Sequence, residues 1–160
     1  MSWEFETDPE FQEELDWIDN FVKEEIEPLD FIIKSPYDLT DPIRNEIIKP
    51  LQKQVQDRNL WACHLGPDLG GPGYGQVKLA LMNEILGRAR CASTIFGTQA
   101  PDTGNSEILA HYGTPEQKEQ FLEPLLRNEI VSCYSMTEPQ GGADPKVFTT
   151  TAVQDGDEWI

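Results

Sequence analysis

Apolar residues recur every three or four positions through most of the first 127 residues, which is the spacing of one helical face. The first run starts with Thr7 or Asp8 as the N-cap and Pro9 in the first helical position, and it ends near Pro28. Its apolar stripe consists of Phe11, Leu15, Ile18, Val22 and Ile26. The pattern predicts an amphipathic helix that faces a core.

A second helix is predicted to begin at Asp41-Pro42. Its expected buried stripe is Ile43, Ile47, Leu51 and Val55. Pro50 lies within this stripe and should kink or break the helix, because proline has no backbone donor and crowds the preceding turn.

Residues 60–75 are rich in glycine and proline and are typical of a loop. A phosphate-binding loop is the alternative. However, the glycines do not have the dinucleotide spacing, and no Lys-Ser/Thr pair follows them. A structural connection is therefore favoured.

Two helices are predicted next, over residues 76–87 and 92–100. The expected buried stripe of the first is Val77, Leu81 and Ile85. The second contains the polar residues Thr94, Thr98 and Gln99, which could face either solvent or a pocket.

The last two predicted helices are marked by their ends. Asp102 or Thr103 could cap one that runs to Tyr112, with Gly113 as its left-handed terminator. Thr114-Pro-Glu-Gln117 is a capping box with proline in the first position. The expected core face of this last helix is Phe121, Leu122, Leu125 and Leu126.

After Asn128 the composition changes to residues that favour strands, over 130–136 and again over 147–153. Asp155-Gly156 is a favoured hairpin turn, followed by a return strand over 158–160. The chain is therefore predicted to be mainly α. We expect an antiparallel helical bundle over residues 1–127 and the first strands of a β domain over 128–160.

The charge excludes one class of function. With 29 acidic and 12 basic residues, the net charge is -17, the wrong sign for a protein that neutralises nucleic-acid phosphates. It also disfavours contact with anionic membranes. Arg88 and Arg90 form the one dense basic pair in the sequence. We expect them to complement the C-terminal dipole of the preceding helix rather than bind a phosphate.

The three cysteines, Cys63, Cys91 and Cys133, are widely spaced and have apolar neighbours, so core positions in a reducing cytoplasm are expected. His64 and His111 do not have metal-ligand spacing with each other or with the cysteines, so we expect no metal site. No stretch is long enough to span a membrane. A cytoplasmic protein is predicted.

The stretch from Tyr134 to Asp144 carries the candidate chemistry. Met136 offers a polarisable contact to a flat ring, Thr137 supplies a hydroxyl, and Gly141 and Gly142 let backbone N–H groups approach a ligand. Spacing alone leaves a loop that merely ends a strand as an open alternative, because Thr, Pro and Gly often serve turns.

The same stretch also carries a family resemblance. Tyr134-Ser-Met-Thr-Glu-Pro-Gln-Gly-Gly-Ala-Asp144 is similar to the flavin-binding signature of acyl-CoA dehydrogenases. Further pieces occur in the order this family uses: Leu69-Gly-Gly-Pro-Gly73, Pro101-Asp-Thr-Gly-Asn105, Tyr112-Gly-Thr-Pro-Glu-Gln-Lys118, Thr149-Thr-Thr-Ala152 and Asp155-Gly-Asp157. The second of these resembles the branch of animal family members ten and eleven.

The resemblance implies FAD as cofactor and hydride transfer from the β carbon of an acyl-CoA thioester to the flavin. The residues implied to line FAD are Tyr134, Ser135, Met136, Thr137, Gly141, Gly142 and Ala143. Met136 would lie against the ring, and Thr137 would hydrogen-bond its heteroatoms. At Ala143 the family usually has a serine that serves the flavin phosphate and CoA, so this cofactor and substrate contact would lack its hydroxyl.

The resemblance also implies an acyl-CoA substrate, electron-transfer flavoprotein as acceptor and a homo-oligomer when full length. The chain would cover somewhat less than half of a typical member, with the catalytic glutamate beyond Ile160. Glu138 is expected to be structural rather than a replacement base. We therefore expect the 160 residues to be inactive alone. The alternatives are an acyl-CoA oxidase, or a non-catalytic helical binding module or half of a split protein.

Overall fold

A computed structural model describes residues 7–69 and 71–160, and most of these residues are helical. The helices are α1 (Pro9–Phe21), α2 (Pro42–Asp57), α3 (Gly75–Leu86), α4 (Ala92–Phe96), α5 (Asp102–Tyr112), α6 (Pro115–Gln117) and α7 (Glu123–Leu126). The predicted class, a helical bundle followed by the first strands of a β region, is confirmed. Residues 1–6 of the predicted bundle and Gly70 of the predicted loop lie outside the described residues.

The start of α1 is as predicted. The Asp8 carboxylate accepts a hydrogen bond from the Phe11 backbone N–H at 2.9 Å, and all five residues of the predicted stripe are buried. The helical path continues through a π-helical turn (Val22–Ile26) and a 3-10 helix (Glu27–Phe31). The predicted end near Pro28 is wrong because proline fits the first turn of a helix, where its missing N–H has no helical partner.

The buried face of α2 differs from the predicted stripe. Ile43 is 57% exposed, while Arg44 and Ile48 are fully buried together with Leu51 and Val55. At the start of α2, the buried face is thus shifted by one residue from the predicted face. A buried arginine, which an apolar pattern cannot reveal, occupies the position that the pattern gives to an aliphatic residue.

The predicted break at Pro50 does not occur, and α2 is helical on both sides of it. Pro50 is exposed, as is Glu46, whose carbonyl would otherwise accept the missing backbone hydrogen bond. Because Ile48 and Leu51 are both anchored in the core, burial holds the helix together across the proline.

The predicted stripe of α3 is also displaced. Val77 is 77% exposed and the buried residues are Met82 and Leu86. This helix carries apolar residues on more than one side, so that several faces compete and the spacing alone does not select the buried one.

The last helical region begins with the predicted capping box. Thr114 Oγ1 accepts from the Gln117 N–H at 3.3 Å, and Gln117 Oε1 accepts from the Thr114 N–H at 2.9 Å. A π-helical turn (Lys118–Leu122) connects α6 to α7. Leu122 and Leu125 are buried as predicted, but Phe121 is 43% exposed. Gly113 is not left-handed, since its φ is -68°.

The helices bury one hydrophobic core. Within it α1 packs on α3 and α2 packs on α4. Outside this core, α5 packs on the π-helical turn of Lys118–Leu122 and on α7. Cys63 and Cys91 lie in this core as predicted, and burial raises the pKa of Cys63 to about 12. The same prediction is wrong for Cys133, which is exposed.

The region after Asn128 contains fewer strands than predicted. Residues 131–137 form no regular element, and residues 145–147 form a 3-10 helix. The strands are β1 (Gln154–Asp155) and β2 (Glu158–Trp159), which pair antiparallel around the predicted turn. Within the described residues, the sheet consists of β1 and β2, so residues 131–137 have no neighbouring strand to pair with. None of residues 129–160 is buried, so no core supports a longer strand.

The basic pair is engaged by acidic side chains. Arg88 pairs with Asp19 at 2.7 Å and Glu27 at 3.5 Å, and Arg90 pairs with Asp30 at 3.8 Å. These contacts hold the end of α3 against the first helical region and weaken the phosphate alternative. Within the described residues, no helix is both long enough and apolar enough to cross a membrane.

Candidate functional site

The chain leaves the bundle at Asn128, a buried residue with a φ of 50°. Its side-chain oxygen accepts hydrogen bonds from Arg44 Nη2 at 2.6 Å and Gln52 Nε2 at 3.1 Å. Lys49 Nζ donates to the carbonyls of Arg127 at 2.9 Å and Asn128 at 3.1 Å. We call residues 128–132 the exit segment, and these contacts fix its first residue on α2.

Arg44 is fully buried, and its hydrogen-bond acceptors are neutral. The guanidinium donates to the Pro36 carbonyl at 2.9 Å, to Asn45 Oδ1 at 2.8 Å and to Asn128. Burial lowers the pKa of Arg44, as expected for a desolvated cation. Each of these acceptors is therefore needed to offset the cost of burying the charge.

A chain of polar side chains continues from α2 across α4 to α5. Gln52 Nε2 also donates to the Thr94 carbonyl at 3.1 Å, and Thr94 Oγ1 donates to Gln99 Oε1 at 2.6 Å. Gln99 Nε2 then donates to Asp102 Oδ2. The sequence did not decide whether Thr94 and Gln99 face solvent or a pocket. Both residues are buried.

Asp102 ends this chain and binds the far end of the exit segment. Its Oδ1 accepts from the Ser132 N–H at 2.8 Å and from Ser132 Oγ at 2.6 Å, while Asn105 Nδ2 donates to Ser132 Oγ at 2.8 Å. The prediction that Asp102 or Thr103 caps α5 is wrong, because Pro101 is the N-cap residue and no side chain caps this helix.

A small cavity of about 20 Å³ lies beside this chain of side chains, next to His64 and Trp61. Ser106 Oγ donates to the Thr103 carbonyl at 2.8 Å, so its contact with His64 Nε2 at 3.1 Å requires the proton on the histidine nitrogen. Burial lowers the pKa of His64, and its Nδ1 has no hydrogen-bond partner within the described ranges. His64 is therefore a neutral polar group that the sequence pattern did not single out.

Two open grooves flank the exit segment. One of about 300 Å³ is lined by Tyr37, Pro101 and Val131, and the other, of about 400 Å³, by Ile108 and Phe121 among others. Val131 and Ser132 line both grooves. The exit segment thus forms a ridge between two apolar depressions, and the predicted flavin residues follow directly from it.

The first predicted flavin residues lie on an exposed face beside α5. Tyr134 is 57% exposed and Met136 is 55% exposed, and Ser135 and Thr137 are also exposed. The Tyr134 hydroxyl lies so close to Gly104 that a Cβ built there would be 2.5 Å from it. The end of the Tyr134 side chain therefore lies on the first turn of α5, and a side chain at position 104 would displace the Tyr134 hydroxyl.

The glycines of the predicted site are needed for close packing within the loop. A Cβ at Gly141 would lie 2.5 Å from Val147 Cγ2, and one at Gly142 would lie 2.9 Å from Thr137 Cγ2. The Gly141 N–H donates to the Glu138 carbonyl at 3.1 Å and is not free for a ligand. The N–H groups of Gly142 and Ala143 make no hydrogen bond to the described residues. The structure thus brings Thr137 together with Gly142, whereas Gly141 lies against Val147.

Glu138 holds this loop closed, in the structural role predicted for it. Its carboxylate accepts from the N–H groups of Thr149 at 2.8 Å and Thr150 at 2.9 Å and from Thr149 Oγ1 at 3.2 Å, and Gln140 Nε2 also donates to it. Hydrogen bonding by Thr150 and Thr149 lowers the pKa of Glu138 to about 2. A carboxylate so engaged is a poor proton acceptor.

The chain is similar to several known proteins. A family model described as acyl-CoA dehydrogenase, N-terminal domain, matches residues 8–129. Acyl-CoA dehydrogenase family member 11 of Pongo abelii is 38% identical over 133 residues, which are 80% of this chain and 17% of that protein. Family member 10 of Mus musculus is 42% identical over 99 residues, or 59% of this chain and 9% of that protein.

Among solved structures, one from Mycobacterium abscessus assigned to the acyl-CoA dehydrogenases matches with a TM-score of 0.79 and 32% identity. The match covers 97% of this chain and 41% of that chain. The chain therefore spans less than half the length of these similar proteins.

Proposed function

The chain belongs to the acyl-CoA dehydrogenase family, and we propose that its residues 134–143 form one side of a FAD site for α,β-dehydrogenation of acyl-CoA thioesters. When bound, FAD supplies the acceptor for the hydride that leaves the β carbon of the acyl group. The observation that supports the proposal is that Tyr134, Met136 and Thr137 are all exposed, directly before a loop that Glu138 holds closed.

The donor set of this face suits a flavin. Thr137 presents a hydroxyl and Met136 an apolar, polarisable side chain, which match the polar edge and the flat face of a ring. The N–H groups of Gly142 and Ala143 are available to an anionic group such as a pyrophosphate. The two depressions beside the exit segment give an acyl chain an apolar surface close to this face.

The residues of this chain bind and orient, and they supply no free base. The carboxylates of Asp102, Glu138 and Asp144 all accept hydrogen bonds from backbone N–H groups. We therefore expect the 160-residue polypeptide alone to show no acyl-CoA-dependent dye reduction. Measurable dye reduction would contradict this part of the proposal.

Titration with FAD, followed by quenching of flavin fluorescence, tests the cofactor site. We expect Thr137→Val to weaken binding by about tenfold, since a hydrogen bond to the ring is lost. Thr151→Val is the matched control, because Thr151 is exposed and forms no hydrogen bond within the described residues. No binding by the unmodified chain, or equal losses in both variants, would contradict a site at Thr137.

Position 143 offers a test in the opposite direction. Ala143→Ser adds a hydroxyl beside backbone N–H groups that are available to a phosphate. We expect tighter binding of FAD, because the hydroxyl adds a donor to a charged acceptor. An unchanged FAD dissociation constant would indicate that residue 143 does not contact the cofactor.

The remaining parts of the proposal concern the longer proteins of this family. We propose a cytoplasmic enzyme that acts on acyl-CoA, passes electrons to an electron-transfer flavoprotein and forms a homo-oligomer. Reduction of that flavoprotein by a full-length enzyme would support the dehydrogenase assignment, and rapid consumption of oxygen would favour an oxidase. Sedimentation of the same preparation measures the oligomeric state.

A further inference from the structure

The exit segment is held at both ends by buried polar side chains rather than by an apolar core. Asn128 is bound by Arg44 and Gln52, and Ser132 is bound by Asp102 and Asn105. The three residues between them are exposed. These hydrogen bonds therefore fix the exit segment on the bundle at the point from which the chain continues to Tyr134.

Asp102 makes the most demanding of these contacts. It is 9% exposed, and no ion pair within residues 7–69 and 71–160 involves it. Three donors instead surround its carboxylate: the N–H and Oγ of Ser132 on one oxygen, and Gln99 Nε2 on the other. Burying a carboxylate in this way is costly, which makes a purely local role a poor explanation.

The register of two chain segments follows from this contact. Asp102 binds Ser132, and two residues further along each segment Gly104 lies against the Tyr134 hydroxyl. We propose that Asp102 is a positioning residue, which fixes residues 133–137 on the first turn of α5 in the orientation that the flavin requires. This inference rests on the proposed flavin function.

Asp102→Asn is the sharpest test. An amide has one acceptor oxygen and one donor nitrogen, so it cannot accept from Ser132 on one side and from Gln99 on the other. At one of the two contacts, the amide nitrogen of the new asparagine would then face another hydrogen-bond donor. We expect hydrogen exchange at the Ser132 N–H, which donates to Asp102, to become about tenfold faster, since a hydrogen bond to a charged group is lost.

Asp30→Asn is the matched control. The Asp30 carboxylate also accepts from a backbone N–H of a distant segment, that of Arg90, at 3.0 and 3.1 Å. The same chemical change at this site should leave exchange at the Ser132 N–H unaltered. Ser132→Ala is a second variant, which removes the hydroxyl but keeps the N–H donor, and it covers the case in which Asp102→Asn does not fold. We expect it to accelerate exchange by a smaller factor.

Exchange is measured without FAD and compared with the FAD dissociation constants of the same proteins. Faster exchange together with weaker FAD binding in Asp102→Asn, neither of which occurs in Asp30→Asn, supports the proposal. Exchange at wild-type rates, or faster exchange with unchanged FAD affinity, overturns it. If the wild-type chain binds no FAD, the proposed function fails, and the exchange data still decide whether Asp102 holds Ser132.

Discussion

The bundle and the region after it are stabilised by different forces. Through Asn128 the helices bury a shared core, in which residues such as Ile18, Ile48 and Ile95 are fully buried. From Glu129 to Ile160 no residue is buried, and the chain is held by hydrogen bonds to Asp102 and Glu138.

The two regions therefore have different roles, one in stability and the other in contacts with a ligand. Burial of apolar side chains gives the bundle its stability, because each buried aliphatic residue contributes about 1.5–3 kcal/mol. In the exposed region, the Thr137 hydroxyl, the N–H groups of Gly142 and Ala143 and the Met136 side chain remain available to a ligand. The bundle therefore provides the rigid support, and the outer region provides the contacts.

The largest expected contrast is in cysteine reactivity. Cys133 is exposed and should react with a thiol reagent at the rate of a free thiol, whereas Cys63 and Cys91 are buried and burial raises the pKa of both. We expect the buried thiols to react more slowly by on the order of 1,000-fold or more, because they require opening of the core. Labelling kinetics at pH 8 measure this, and Cys133→Ser should remove the fast phase. More than one fast thiol would show that the core opens readily.

Two isoleucines measure the contrast in stability. Ile95→Ala removes a fully buried side chain and should lower the free energy of unfolding by about 2–5 kcal/mol. Ile160→Ala removes one that is 77% exposed and should change it by no more than about 0.5 kcal/mol. Urea denaturation measures both values. Similar losses would mean that the outer region contributes a core of its own.

Asn128 tests the junction between the two regions. Asn128→Ala imposes a positive φ on alanine and removes an acceptor from the buried Arg44. We therefore expect the free energy of unfolding to fall by about 3–4 kcal/mol. Asn59→Ala is the control, because Asn59 has a φ of 59° but is exposed. In Asn59→Ala the free energy of unfolding should fall by only about 1–2 kcal/mol, which is the cost of the positive φ on alanine. Equal losses would show that the Arg44 contact contributes nothing.

The smallest expected effect is the pH response of the outer loop. Hydrogen bonding holds the pKa of Glu138 below the usual 4.5, at about 2. The stabilising contribution of the ionised carboxylate is therefore complete above pH 4.5 and is lost as the pH falls toward 2. The amide chemical shifts of Thr149 and Thr150 should titrate with a midpoint near 2 in the wild type and not in Glu138→Gln. A midpoint near 4.5 would contradict the hydrogen bonding of Glu138.

The sequence predicted those features of the fold that depend on neighbouring residues. The caps at Asp8, Asp41 and Thr114 and the hairpin turn at Asp155-Gly156 all form, because a few adjacent side chains and N–H groups decide them. The class of the fold and the family followed from the same local patterns in their order along the chain.

Features that depend on distant partners could not be predicted. The sequence pattern predicted that Asp102 caps its own helix. In the structure Asp102 binds Ser132, thirty residues away in the sequence. The pattern likewise predicted a strand over residues 130–136. A strand needs a neighbouring strand to pair with, and local propensity does not supply one. The predicted FAD contacts of residues 134–143 stay predictions, with their exposure now described.

The contact of Asp102 with Ser132 has a consequence for how members of this family can diverge. Because Ser132 is located by a side chain on α5, the number of residues between the two does not set its position. The turn at Gly113-Thr114 can therefore lengthen or shorten without moving Tyr134 relative to Gly104. Insertions should accumulate at this turn among homologues, while the pair at 102 and 132 changes only in concert.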